Sequence, residues 1–299
     1  MFSRILLGAV SVAGAIFVSA IAAAGSDGDA SANASAVLPE LTVAPPTDYP
    51  DVRLGNGSSS GQGAAFNPAD PKRLAIGGIS SGCYVKTSAD GGKTWGTRVQ
   101  LPVGDGDCNS APALTYAADD GRLYAAYLGY RPTEYLVFVS MSTDQGGTWS
   151  VPTIAMARVD CFYCNGFFGA RIAAAPDGRW VYVTARDLIV HDGYSASLLF
   201  SRSGDLGLSW SPVKSIASGF TFSGPPLLSS ALAAGGSGRV LIAYGWQDDD
   251  HPRYTLQVAK SLDHGASFDR QVVIADQSET DGLSGTDIRI DRFGTAHLV

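Results

Sequence analysis

Glutamate is nearly missing from this chain of 299 residues: it stands only at positions 40, 134 and 279. Lysine and arginine number 21 against 28 acidic residues, so the net charge of −7 is carried almost wholly by aspartate. Such a balance makes a poor partner for a phosphate backbone and excludes nucleic acid as the expected ligand. The four histidines, His191, His251, His264 and His297, are scattered without ligand spacing, so no metal centre is expected from them. Stretches with helical periodicity are scarce and charged residues reach only 16%, whereas glycine (36) and proline (15) are plentiful and aromatics make up 10%. That composition favours an all-β protein of short strands joined by tight turns.

The start of the chain reads as a targeting segment. Arg4 supplies the positive start, Ile5 to Ile21 the apolar run, and Ala22, Ala23 and Ala24 a small-residue cleavage site. An uncleaved anchor is the alternative, because the run approaches bilayer-spanning length. No second such run follows, so no membrane association is expected after cleavage, and the protein is expected to be secreted or periplasmic. The organisation read from composition is a signal peptide over 1–24, an Ala-, Ser- and Pro-rich linker over 25–50, and a folded domain over 51–299. In an oxidising compartment Cys83, Cys108, Cys161 and Cys164 would form two disulfides, with three pairings open. The close pair Cys161 and Cys164 also admits a redox motif or half a zinc site, although no βαβ context surrounds it.

Four segments share one pattern: SADGGKTW (88–95), STDQGGTW (142–149), SGDLGLSW (203–210) and SLDHGASF (261–268). Each is Ser, any, Asp, any, Gly, any, Ser or Thr, aromatic. A window meets such constraints by chance on the order of once in 100,000, so four matches are a true repeat. The aspartates Asp90, Asp144, Asp205 and Asp263 are 54, 61 and 58 residues apart, a period of radially arranged or stacked sheets. A weaker repeat of glycine turns, at Gly121, Gly178, Gly238 and Gly294, precedes the next box by 23, 27 and 25 residues in its first three copies. The unit is therefore strand, Gly turn, strand, loop, strand, Asp turn, strand, which is a four-stranded propeller blade. For the second blade the strands are expected near 111–116, 123–128, 135–142 and 151–155. No box follows Gly294 before Val299, so the chain reads as four blades and part of a fifth, truncated at its C-terminus. In each box the Asp carboxylate and first Ser can accept turn N–H groups, while Trp95, Trp149, Trp210 and Phe268 pack between sheets. One side chain repeated in every blade suits a staple and not a single catalytic site.

These boxes resemble the Asp-box (BNR) repeats of the sialidase-like superfamily, from about residue 60 to the end. The resemblance implies a six-bladed propeller with the boxes on one face and the functional site on the other. It implies a glycan or glycoprotein as partner and an exo-sialidase-type glycoside hydrolase as the activity; the alternative is a non-catalytic propeller that binds glycan or protein. Arg131, Arg186 and Arg253 fall in corresponding loops of three successive blades, after the second strand, where guanidinium forks can converge on a carboxylate. Three solvated rim arginines are the alternative reading. PDGRWVYVTAR, ending at Arg186, and HPRYTLQVAKSLDHG, with Arg253, are similar to the family's second and third arginine segments. Other elements depart from the pattern. No Arg-Ile-Pro opens the first blade, where Arg53 is nearest; the expected Glu falls near Ala170 and the expected Tyr near Gly285. Asp105, Asp107, Asp160, Tyr163, Asp248 and Glu279 lie in loops of the same side without a spacing that assigns a role. No cofactor is expected, although the run Asp248 to Asp250 offers the hard oxygen ligands that suit calcium.

Overall fold

A computed structural model of the chain describes residues 63–104, 106–159, 164–190, 192–221, 227–247, 255–274, 287–290 and 295–298. The signal segment, the linker and Arg53 lie outside the described residues, as do Asp105, Asp160, Cys161, Tyr163, His191, Asp248 to Asp250, His251, Arg253, Glu279, Gly285 and Gly294. Every described regular element is a strand. The first sheet is β1 (Ala64–Asn67), β2 (Asp70–Ile79), β3 (Cys83–Ser88) and β4 (Val99–Gln100). In the second, β5 (Asp107–Cys108) and β6 (Ala113–Tyr116) both pair with β7 (Leu123–Arg131), followed by β8 (Glu134–Ser142) and β9 (Thr153–Val159). The third is β10 (Cys164–Ala174), β11 (Val181–Val190), β12 (Tyr194–Ser203) and β13 (Lys214–Thr221). The fourth is β14 (Leu227–Ala234), β15 (Val240–Trp246), β16 (Thr255–Ser261) and β17 (Asp269–Ile274), and β18 (Ile288–Ile290) pairs with β19 (Ala296–Leu298). All pairings are antiparallel, and the first strands β1, β6, β10, β14 and β18 neighbour one another in that order. Four blades thus stand in a propeller arrangement, with a fifth pair beginning after them.

The second blade shows where its local chemistry shifts the strand ends. The hairpin between β7 and β8 runs three residues beyond the expected Leu128, because Arg131 pairs with Glu134 at 3.2 Å and Tyr130 packs on Tyr135. The outer strand starts at Thr153 and not at Val151, directly after Pro152, which has no N–H to give to a ladder. The first blade turns without the glycine signature: Asn67 Oδ1 accepts from the Ala69 N–H at 2.9 Å, and Asp70 Oδ1 from the Lys72 N–H at 3.2 Å.

Each box folds into the same knot. In the second, Ser142 Oγ donates to Asp144 Oδ1 at 2.8 Å and accepts from the Gly146 N–H at 2.7 Å. Asp144 also accepts from the Thr148 N–H at 2.8 Å and from Thr148 Oγ1 at 2.7 Å. Asp90, Asp205 and Asp263 repeat the pattern with Thr94, Ser209 and Ser267. The residue after each aspartate is left-handed: Gly91 in the first box, then Gln145, Leu206 and His264. That residue ties the box to the turn between its own first two strands. The N–H groups of Gly91, Leu206 and His264 donate to the carbonyls of Lys72, Arg179 and Gly238, and the Gln145 amide donates to Gly121 O. The two sequence repeats keep near-constant spacing because they are hydrogen-bonded neighbours at one end of the blade.

A box also grips the blade before it. Trp210 Nε1 donates to Thr153 Oγ1 at 2.9 Å, and Thr153 Oγ1 donates to Gly207 O at 2.8 Å. The His264 ring stacks on Trp180 at 4.3 Å, and Arg202 donates to the carbonyls of Asp263 and His264. Behind these seams the second strands are buried on both faces, which explains apolar runs such as LYAAYLG in β7 and VLIAYG in β15. Buried tyrosines sit among them, and burial pushes the Tyr124 and Tyr127 hydroxyls up to about 12.

The donors of the boxes, Thr148 and Ser142 for Asp144, lower its carboxyl from 3.8 to about 2, and Asp90 and Asp205 are likewise lowered to about 2. A depressed folded-state pKa gives stability that is complete above the unfolded value and disappears as pH falls through the folded one. The difference in melting temperature between the native chain and Asp144→Asn is therefore expected to be constant above about pH 5 and to shrink toward zero between about pH 4 and 2. A pH-independent difference would mean that the charged carboxylate is not what holds the turn.

Candidate functional site

The boxes and the first-to-second-strand turns share one side of every blade, so the second-to-third-strand hairpins and the connections between blades occupy the other. On that side the third blade has the strongest constellation. Its first strand, β10, is irregular: the pairing with β11 slips between Cys164 and Gly166 and again between Phe168 and Arg171. Bulges of this kind re-aim side chains, and they gather beside functional sites. Gly169, at φ 57°, packs under the guanidinium of Arg186, where a Cβ would lie 3.3 Å from Nη2.

Phe168 pairs with Arg186 across the ladder and Arg171 with Thr184, so these four side chains share one face of the blade. The face looks toward β14. Arg186 Nη1 donates to Leu227 O at 3.3 Å and Arg171 Nε to Ser230 O at 2.9 Å. Beside them, the hydroxyls of Thr184 and Ser230 are buried and make no hydrogen bond. Solvent reaches Arg171, yet the protein packed around its guanidinium disfavours the charged form and lowers its pKa; Asp287 opposes this shift and Arg289 adds to it. Arg186 is lowered chiefly by burial and secondarily by the charge of Arg171. Two cations thus stand near each other on one face of the blade, beside the buried, unsatisfied hydroxyls of Thr184 and Ser230.

The opposite face of the same strand pair carries Phe167 and Asp187. Asp187 is buried; its Oδ2 takes an ion pair from Arg158 at 2.6 Å while Oδ1 has no hydrogen-bond partner. Burial pushes its carboxyl up and Arg158 pulls it back.

Of the three arginines expected from sequence, the structure describes Arg131 and Arg186. Arg186 lies within β11 and not in a loop, because the β11–β12 hairpin continues to Val190. Arg131 closes the β7–β8 hairpin on Glu134, and Arg253 lies outside the described residues. Ala170, at the position where a glutamate is expected, is buried beside Arg171. Arg171 itself carries no signal in the string; only the ladder that sets it beside Arg186 singles it out. Of the cysteines, Cys83 and Cys108 form a disulfide, with Cα atoms 5.7 Å apart, joining β3 to the strand that leads into the second blade. Among the described residues no cluster of three or more His, Cys, Asp or Glu is placed to hold a metal, and the Asp248 to Asp250 run falls outside them. No helix among the described residues is long and apolar enough to cross a membrane.

The model of the BNR repeat-like domain family matches residues 71–292. The chain belongs to this family. Solved structures show the same propeller for a BNR repeat-like chain. An α-L-arabinanase of Penicillium chrysogenum complexed with arabinobiose matches with TM-score 0.56 and 17% identity over 78% of this chain and 72% of that one. A protein of unknown function from Dyadobacter fermentans matches with TM-score 0.54 and 16% identity over 81% and 76%. An ulvan lyase of polysaccharide lyase family PL25 matches with TM-score 0.51 and 11% identity over 77% of this chain and 57% of the lyase. At these identities the likeness is one of fold. A comparison with curated proteins gives no significant match.

Proposed function

We propose that this BNR repeat-like protein acts on glycans through the side of the propeller opposite its boxes, with Arg171 and Arg186 receiving an acidic group of the sugar. The observation that carries this reading is the pair of neighbouring guanidiniums on one face of the third blade, with the unsatisfied Thr184 and Ser230 hydroxyls beside them. A planar fork matches a carboxylate in two hydrogen bonds, and a partly dehydrated one gains more from it. Support also comes from the company the fold keeps, since the arabinanase is complexed with arabinobiose and the ulvan lyase is bound to a glucuronate-containing polymer. The finer activity is an exo-sialidase-type hydrolysis, and export is supported by the Cys83–Cys108 disulfide.

A binding protein without turnover is the second reading. It is favoured by one observation: Asp187, the buried carboxylate nearest in sequence to Arg186, projects from the opposite face and is engaged by Arg158. Hydrolysis needs two carboxylates, or a tyrosine and an acid, flanking one bond. The deciding experiment measures both binding and sugar release on sialylated, uronate-containing and arabinan oligosaccharides. Arg171→Ala/Arg186→Ala is expected to weaken binding of the acidic glycans by at least about 100-fold, from two charge-assisted contacts of about 1.5 to 3 kcal/mol each. Unchanged affinity in the folded double variant would remove the arginine site. Tight binding without release of sugar would select the second reading.

A further inference from the structure

On the box-bearing side, the joint between the first two blades encloses a cavity of about 280 Å³, lined among others by Arg73, Thr87, Ala89, Gly96, Tyr116 and Gln145. The corresponding space is largely filled at the next two joints. The residue just before the box serine is Arg202 in the third blade, stretched over Trp180 at 5.5 Å, and Met141 in the second, where only about 60 Å³ remains. In the first blade that residue is Thr87, and Gly96 stands where Ser150 and Ser211 follow the later boxes. Small side chains therefore leave open here what Met141 and Arg202 fill at the next two joints.

The cavity is polar where it is open. Tyr116 is 5% exposed and its hydroxyl has no partner; Gln145 spends its amide N–H on Gly121 O, and its Oε1 also has none. The residues bearing both atoms line the cavity, so a group entering it is their available partner, and buried polar atoms left unpaired are costly. Charge is balanced: Arg73 is paired with Asp70 at 3.2 Å, and the Asp90 carboxylate is filled by Ser88 and Thr94. Among the lining residues the one cation, Arg73, is already paired, whereas a ligand with several hydroxyls finds both donors and acceptors.

We propose that this cavity is a second, non-catalytic site for an uncharged polyhydroxylated ligand the size of one sugar ring, on the side away from the arginines. The site goes beyond the glycan reading and stands without it. Calorimetric titration of the full chain with L-arabinose, D-galactose and D-glucuronate, in a background of Arg171→Ala/Arg186→Ala, isolates it. Saturable millimolar binding of the neutral sugars is expected, with glucuronate weaker. Ala89→Trp, which plugs the exposed rim, is expected to weaken the neutral sugars at least tenfold. Tyr116→Phe is expected to weaken them roughly fivefold while leaving the melting temperature unchanged or raised, since the hydroxyl it removes is unpaired. Absence of saturable binding to the folded chain, with the cavity holding water only, would overturn the proposal. So would neutral-sugar affinity unaffected by both substitutions. Should Ala89→Trp fail to fold, the Tyr116→Phe titration decides alone.

Discussion

Replacing Cys83 and Cys108 together by alanine is expected to lower the stability of the propeller by about 3.5 kcal/mol, the loop-closure entropy of the 25-residue separation the disulfide spans. For a domain of this size that corresponds to a fall of roughly 7–14 °C in melting temperature, read by calorimetry or circular dichroism. The reason for so large an effect is where the bond sits. Cys83 opens β3, is fully buried, and anchors the first blade; Cys108 lies in the two-residue strand β5, which is otherwise held to β7 only by a short ladder. Without the bond, the passage from blade one to blade two loses its covalent clamp. A double variant melting within a degree of the native chain would show that the reduced, unfolded chain is constrained some other way.

Gly265→Ala is expected to cost about 3 kcal/mol. This glycine has φ 80°, and an added Cβ would lie 2.4 Å from Cζ of Phe200. Left-handed backbone costs an alanine about 1–2 kcal/mol. The collision adds about 1–3 kcal/mol, because Phe200 is buried and locked edge-on against Phe268 at 5.0 Å. Gly91→Ala separates the two contributions: its φ is 77°, but nothing lies within 4 Å of the new Cβ, so only the backbone cost of about 1 kcal/mol is expected. Equal losses for the two variants, measured by denaturant unfolding, would show that Phe200 moves aside freely.

The propeller was legible because its signals are local. Ser88, Asp90, Gly92 and Thr94 make a turn whose bonds join residues at most four apart, and so leave a contiguous signature in the string. The first blade's opening turn lacks the glycine pattern because only two residues join β1 to β2, held by the Asn67 and Asp70 side chains. The disulfide pairing was open for the converse reason: 25 residues separate partners that only the fold brings together. Arg186 could be singled out by resemblance, but Arg171 could not. Its meaning comes from a slipped ladder at Phe168, a three-dimensional event that has no motif. Likewise, nothing in the string marks Asp187; its burial and its bond to Arg158 exist only in the fold.

The bonds inside each box fix a stretch of every blade that keeps its length, whereas the hairpins at the far end vary. From box serine to box aromatic the count is the same in all four copies, and the carbonyls at Lys72, Gly121, Arg179 and Gly238 must stay within reach. At the far end, two residues separate β7 from β8, three separate β11 from β12, and eight separate β15 from β16. Insertions are thus absorbed where the arginines lie, so such a chain can acquire a new ligand by lengthening a hairpin without renegotiating how one blade holds the next.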